Sequence, residues 1–128
     1  MRNRRIMTKV LVIEDNVQNR YLISFILRRA GYEAIEAITG EEGVEMVERV
    51  HPDLVLMDIQ LPGIDGYEAT RRIRASSADE KMPIIALTSY AMTGDHERAL
   101  DAGCTGYIEK PLNPDTIIDE IRRYQVSL

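Results

Sequence analysis

The sequence predicts an α/β domain: a doubly wound, five-stranded parallel sheet with five helices. Three observations carry this. Short apolar runs alternate with amphipathic segments through five such pairs, the rhythm of a parallel sheet joined by helical crossovers. The runs Val10–Ile13, Leu54–Met57 and Ile84–Leu87 contain no polar residue, as expected of strands covered on both faces. Each of them is followed by groups capable of chemistry, Glu14-Asp15, Asp58 and Thr88, at the carboxyl ends where open α/β sheets place their ligands.

The elements follow in order. After Val10–Ile13, Asn16 is placed to cap a helix that runs to about Ala30, with Gly31 to end it. The apolar residues of this helix are Val17, Tyr21, Leu22, Ile23, Phe25, Ile26 and Leu27, more than one stripe needs. The excess fits either a partner-docking face or a deeply packed helix. A second strand is expected around Glu33 to Ala37, its charges suiting an edge. Thr39 and Glu42 form a capping box for the second helix, with Val44, Val47 and Val50 on its buried side. Asp65 and Glu68 form another capping pair, for a helix through about Arg74, so Asp65 reads as a cap rather than a catalytic acid. A polar linker, Ala75 to Met82, leads to Pro83 and the fourth strand. The segment Tyr90 to Gly103 is a poor helix, interrupted by Thr93 and Gly94, with an alanine face and low expected local stability. The fifth strand, around Thr105 to Ile108, leads to Lys110-Pro111. Asn113 as cap and Pro114 at the first helical position start the last helix, lined by Ile117, Ile118, Ile121 and Tyr124.

Composition narrows the function. The 128 residues, 45% hydrophobic and 29% charged, suit one soluble domain. Residues 8–128 are expected to form it, with 1–7 as a flexible N-terminal arm or an upstream start. No run is long enough to span a membrane, and no secretory signal is visible. The single Cys104 excludes an internal disulfide and makes a cytoplasmic setting the default. A net charge of -5 argues against direct DNA binding.

In a doubly wound sheet of flavodoxin-like order, 2-1-3-4-5, the order reverses between strands one and three. Glu14, Asp15 and Asp58 then meet in one crevice, and Thr88 and Lys110 enter it from the other side. Two like charges about 4 Å apart repel by about 4 kcal/mol at an effective dielectric of 20. Lys110 offsets part of this, and a divalent cation with all-oxygen ligands would offset more: Mg²⁺, or alternatively Mn²⁺. An ionised Asp58 is a ready nucleophile, and a metal and a lysine can neutralise charge on a transferring phosphoryl group. The residues therefore point to Asp58 as a phosphoryl acceptor, with Thr88 bonding to the product.

The pieces Val10-Leu11-Val12-Ile13-Glu14-Asp15-Asn16, Asp58-Ile59-Gln60-Leu61-Pro62-Gly63-Ile64-Asp65-Gly66, Ala86-Leu87-Thr88 and Tyr107-Ile108-Glu109-Lys110-Pro111 resemble the receiver domain of two-component response regulators. The resemblance runs from about Thr8 to Tyr124. The stretch Ala91-Met92-Thr93-Gly94-Asp95 is similar to the subgroup of DivK-like single-domain regulators and hybrid-kinase receivers. The resemblance implies Asp58 as phosphoacceptor. It implies Mg²⁺ on Asp15, Asp58 and the Gln60 backbone carbonyl, with Glu14 assisting. Thr88 and Lys110 would contact the phosphoryl group, and Tyr107 would change rotamer as Thr88 moves. The Lys110-Pro111 bond would be cis, and Gln60 and Tyr90 would tune dephosphorylation. As a plainer alternative, Tyr107 is an ordinary edge-strand residue. Cys104 reads as core, and His51 and His96 as surface or loop residues without a role.

The implied function is a phosphorelay switch rather than an enzyme acting on an external substrate. A histidine kinase or histidine phosphotransfer protein would donate the phosphoryl group, and a changed α4-β5-α5 surface would reach a downstream protein partner. No output domain is expected after the last helix. A stand-alone regulator is the first expectation. A receiver fragment of a hybrid histidine kinase, or a phosphate shuttle, are the alternatives. Competing chemistries fit less well. An aspartyl phosphatase of the haloacid-dehalogenase kind needs an acid at Gln60. A flavodoxin-type flavin site needs Ser, Thr or Gly where Glu14-Asp15 stand. A calcium loop needs alternating acids where Gln60 and Pro62 stand.

Overall fold

The computed structural model describes residues 7–76, 81–89 and 93–125. Ten elements alternate along the chain: β1 (Lys9–Ile13), α1 (Val17–Arg29), β2 (Glu33–Ala37), α2 (Gly40–Val50), β3 (Leu54–Asp58), α3 (Gly66–Ser76), β4 (Ile84–Thr88), α4 (Thr93–Ala102), β5 (Gly106–Glu109) and α5 (Ile117–Tyr124). The strands form one parallel sheet in the order β2-β1-β3-β4-β5. The charged strand β2 is at an edge, as its sequence requires.

Side-chain alternation divides the core between the two faces of the sheet. Leu11, Ile13, Val55, Met57, Ile84 and Ala86 pack with Val47 of α2, Tyr67, Ala69 and Ile73 of α3, and Ala99 and Ala102 of α4. Val10, Val12, Leu54, Leu56, Ile85 and Leu87 pack on the other face with Ile23 and Leu27 of α1 and Ile117 and Ile121 of α5. Every residue of β3 and β4 is buried. The helices therefore hold the sheet rigid from both sides, and the loops at its carboxyl edge are presented on a fixed frame.

The helix starts follow local hydrogen bonding. Asn16 Oδ1 accepts from the Asn19 amide at 2.8 Å, and Ala30 and Gly31 (φ +93°) close α1. Thr39 Oγ1 accepts from the Glu42 amide at 3.0 Å, while Glu42 reaches back to the amide of Ile38 at 2.7 Å, one residue before the cap. Asp65 Oδ1 accepts from the Glu68 amide at 2.9 Å. Glu68 makes no return bond; it pairs with Arg71 and Arg72 instead.

Of the two readings left open for the α1 excess, deep packing does not hold: Val17, Tyr21, Leu22 and Phe25 are all exposed, while Ile23, Ser24 and Leu27 are buried. Two expectations need correction. Thr93 and Gly94 do not interrupt α4; they lie in its first turn. Asn113 does not cap α5 directly. Its side chain accepts from the Asp115 amide at 2.9 Å, closing a turn over 114–116, and the helix begins at Ile117 behind Thr116. The expected arm, apart from Met7, lies outside the described residues, as do residues 77–80 of the linker and Tyr90. Among the described residues, no helix is long and apolar enough to cross a membrane.

Candidate functional site

The strand order brings the carboxyl ends of β1 and β3 side by side. Glu14, immediately after β1, is fully buried, and its Oε2 accepts from the Asn16 amide at 3.1 Å. Its neighbour Asp15 is exposed. Asp58 ends β3 and is 3% exposed. Carboxylate oxygens of Glu14, Asp15 and Asp58 all lie within 4.8 Å of one another.

Among the described residues, one cation reaches the buried pair. Lys110 Nζ lies 3.1 Å from Glu14 Oε1 and 3.1 Å from Asp58 Oδ1, where it donates a hydrogen bond. The Gln60 amide also donates to Asp58 Oδ1, at 3.2 Å. Glu14 Oε1 has the ion pair but no hydrogen bond of good direction, which leaves a buried carboxylate oxygen underpartnered. Burial, followed by the Glu14 charge and hydrogen bond, pushes the Asp58 carboxyl up to about 6 despite Lys110. Burial pulls the Lys110 ammonium down, but Asp58 and Glu14 outweigh it and hold it above the ordinary lysine value. The site carries more buried negative charge than its lysine offsets. That surplus and the all-oxygen donor set fit a small hard cation.

Thr88 ends β4 and is 7% exposed. Its carbonyl accepts from the Lys110 amide at 2.7 Å, which ties the ends of β4 and β5 together. The Lys110-Pro111 peptide is cis. Beside Thr88 lies a cleft of about 340 Å³ lined by Ile59, Gln60, Asp65, Tyr67, Thr88, Asp95 and Arg98. Gln60 is exposed at its mouth. Tyr107 is half-buried on β5.

Two contributors escaped the sequence reading. Arg20 of α1 donates to the carbonyls of Glu14 at 3.0 Å and Asp15 at 3.3 Å, and pairs with Glu36 at 3.1 Å. It fixes the acidic loop from behind. His96, expected at the surface or in a loop, is half-buried in α4 with its ring against Tyr107. A pattern search finds neither, since one acts through backbone carbonyls and the other through a partner on another element.

Gly66 holds the loop after Asp58. A Cβ there would lie 2.3 Å from the Asp58 carbonyl oxygen and 2.7 Å from Ile59 Cα. Both are backbone atoms, so no side-chain rotation relieves the clash. Gly66→Ala is expected to lower stability by about 2–3 kcal/mol, read from the urea midpoint. Gly94→Ala, where nothing lies within 4 Å of the new methyl, is the control and leaves stability equal or raised.

Comparison with known proteins agrees with the geometry. The response regulator receiver domain family matches residues 10–122. The polar-differentiation response regulator DivK of Brucella ovis is 40% identical over 119 residues, covering 92% of this chain and 97% of that protein. Chemotaxis protein CheY4 of Vibrio cholerae superposes with a TM-score of 0.88 at 30% identity, covering 92% of this chain and 98% of that one. The receiver domain of a sensor histidine kinase from Pseudomonas aeruginosa PAO1 superposes at 0.84 with 39% identity, covering 92% and 97%; that structure has a magnesium ion coordinated in its active site cleft.

Proposed function

The chain belongs to the receiver domain family of two-component response regulators, DivK-like in sequence, and from this premise we propose that Asp58 is its phosphoacceptor in a Mg²⁺-dependent phosphorelay. The observation that carries the proposal is the cluster of buried Glu14 and Asp58 with exposed Asp15, their oxygens within 4.8 Å, joined by Lys110. Receiver domains are signalling switches rather than enzymes acting on an external substrate, and the acidic cluster fits that role.

The chemistry is a phosphoryl transfer. An Asp58 carboxylate oxygen attacks phosphorus and forms the acyl-phosphate bond, while the bond from phosphorus to the donor's imidazole nitrogen breaks and its electron pair stays on that nitrogen. Asp15, Asp58 and the Gln60 carbonyl would hold Mg²⁺, with Glu14 assisting; Mn²⁺ suits the same ligands. Bound there, the ion supplies positive charge to the phosphoryl oxygens. Lys110 supplies a second positive charge from the β5 side, and the Thr88 hydroxyl donates to a phosphoryl oxygen from β4. Tyr107 follows Thr88 inward, and the α4-β5-α5 surface changes for a downstream protein partner. Gln60, at the mouth of the cleft, tunes access of water to the acyl phosphate. Tyr90, given the same role by sequence, lies outside the described residues.

The donor is a histidine kinase or histidine phosphotransfer protein. The exposed apolar face of α1, Val17, Tyr21, Leu22 and Phe25, supports docking of such a partner next to the acidic crevice. Contiguous exposed apolar patches mark sites of protein association.

Mass spectrometry tests the reading. With acetyl phosphate and Mg²⁺ the protein gains one phosphoryl group, and Asp58→Ala or a chelator abolishes the gain. Equal labelling of the Ala variant would sink the assignment. Tyr21→Ala with Phe25→Ala keeps labelling by acetyl phosphate and loses transfer from a phosphorylated histidine phosphotransfer protein. Loss of both would mean that the α1 face supports the fold rather than a donor.

A further inference from the structure

We propose that His96 is a positioning residue for Tyr107: its imidazole stacks on the phenol ring, holds Tyr107 against α4, and so sets how strongly a phosphoryl group must act to move it. The inference rests on the reading of Asp58 as phosphoacceptor and of Tyr107 as the ring that follows Thr88.

The two rings lie with centroids 3.7 Å apart and planes 15° from parallel. That is full face contact, closer than the usual spacing of aromatic pairs. The His96 Nε2 is buried and has no hydrogen-bond partner among the described residues. Most buried polar atoms are paired; among the described residues the contact seen to hold this ring is its face contact with Tyr107.

The stack matters because the other anchors of α4 among the described residues are few: Arg98 lies over the Tyr67 ring at 4.4 Å, and the apolar contacts are small. Its buried hydrophobic residues are Ala99 and Ala102, while Leu100 is exposed. Two alanines bury little apolar surface, and a helix so held is free to shift. Tyr107 pairs with Ala86 in register, two residues before Thr88 on β4. A ring that leaves α4 to follow Thr88 must break the stack. A ligand shifts an equilibrium only by its differential affinity for the two states. A contact made only in the starting state therefore raises the ligand concentration at the midpoint.

The test uses the full chain with Mg²⁺ and beryllofluoride as a phosphoryl mimic, followed by NMR at the Asp58 and Thr88 amides and the Tyr107 ring. His96→Ala lowers the beryllofluoride midpoint by about two- to tenfold, the range expected from losing one aromatic pair. His96→Phe, which can stack, stays near the wild-type midpoint. On a Tyr107→Ala background, His96→Ala shifts nothing. An unchanged or raised midpoint, equal behaviour of the Ala and Phe variants, or a shift that survives without Tyr107 would each overturn the proposal. A melting temperature lowered with the midpoint unmoved assigns His96 a packing role only and overturns it too. If the wild-type Asp58 and Thr88 signals ignore beryllofluoride, the phosphoacceptor reading falls and this inference with it. A response there without dependence on His96 removes the inference alone.

Discussion

Asp58→Asn is expected to make the metal-free protein more stable at pH 7.5, while removing the phosphorylatable group. The folded protein holds the Asp58 carboxyl at about 6, against 3.8 for a free side chain, because burial and the Glu14 charge oppose ionisation more than Lys110 favours it. A folded pKa raised above the unfolded one means that the native state binds the proton more tightly. The stability linked to that proton is fully present below about pH 4 and is lost as pH rises through about 6. At pH 7.5 wild type has lost it; the neutral amide has no proton to lose. A shift of this size corresponds to an upper range of about 2–3 kcal/mol, or roughly 5–10 °C in Tm for a domain of this length. The gap between Asn variant and wild type should therefore be widest above pH 6.5 and shrink toward pH 4.5. Mg²⁺ should also narrow it, by stabilising wild type more than the variant. Thermal melts at three pH values, with and without Mg²⁺, read this directly. A variant less stable at pH 7.5, or a gap that does not change with pH, would mean that Asp58 is ionised without strain in the native state.

The same residue shows how far sequence reading reaches. The strands were legible because a residue buried on both faces of a sheet has few side chains open to it, and the runs Leu54–Met57 and Ile84–Leu87 fit that demand. Sheet order followed from the doubly wound topology, and order alone placed Asp58 beside Glu14. What sequence does not carry is the difference between adjacent acids. Glu14 is wholly buried and Asp15 exposed: just past the end of β1 the Glu14 amide still bonds to the Ala37 carbonyl of β2, and Arg20 ties the carbonyls of both acids from α1. The start of α5 misleads for a local reason. Asn113-Pro114 has the cap-and-proline pattern, yet the Asn113 side chain bonds within its own turn and the helix begins after it. The fate of α1 was open because an apolar side chain reads the same whether it is packed or awaits a partner. Burial shows that it is not packed; Val17 and Tyr21 are 67% and 71% exposed.

Lys110→Ala is expected to separate the two kinds of positive charge at the site. Its Nζ lies 3.1 Å from oxygens of both buried carboxylates, and among the described residues no other ion pair to either is present. Truncation leaves Glu14 and Asp58 facing each other with the Asn16 and Gln60 amides and water as compensation. Breaking one partner out of a buried ion pair costs about 3–5 kcal/mol; here part of that is recovered because Asp58 can stay protonated to higher pH. The net loss at pH 7.5 should be about 2–3 kcal/mol, smaller at pH 5.5, and read from urea midpoints. Mg²⁺ binding should tighten, since the ammonium competes with a divalent cation for the same oxygens. Phosphorylation by acetyl phosphate should nevertheless fall by on the order of 100-fold, the scale on which one group that stabilises transferring charge acts. Tighter metal binding with slower transfer is the decisive combination. A variant that binds Mg²⁺ more weakly would place Lys110 among the groups that shape the metal site. One that is labelled at the wild-type rate would confine the lysine to holding two acids together in the resting fold.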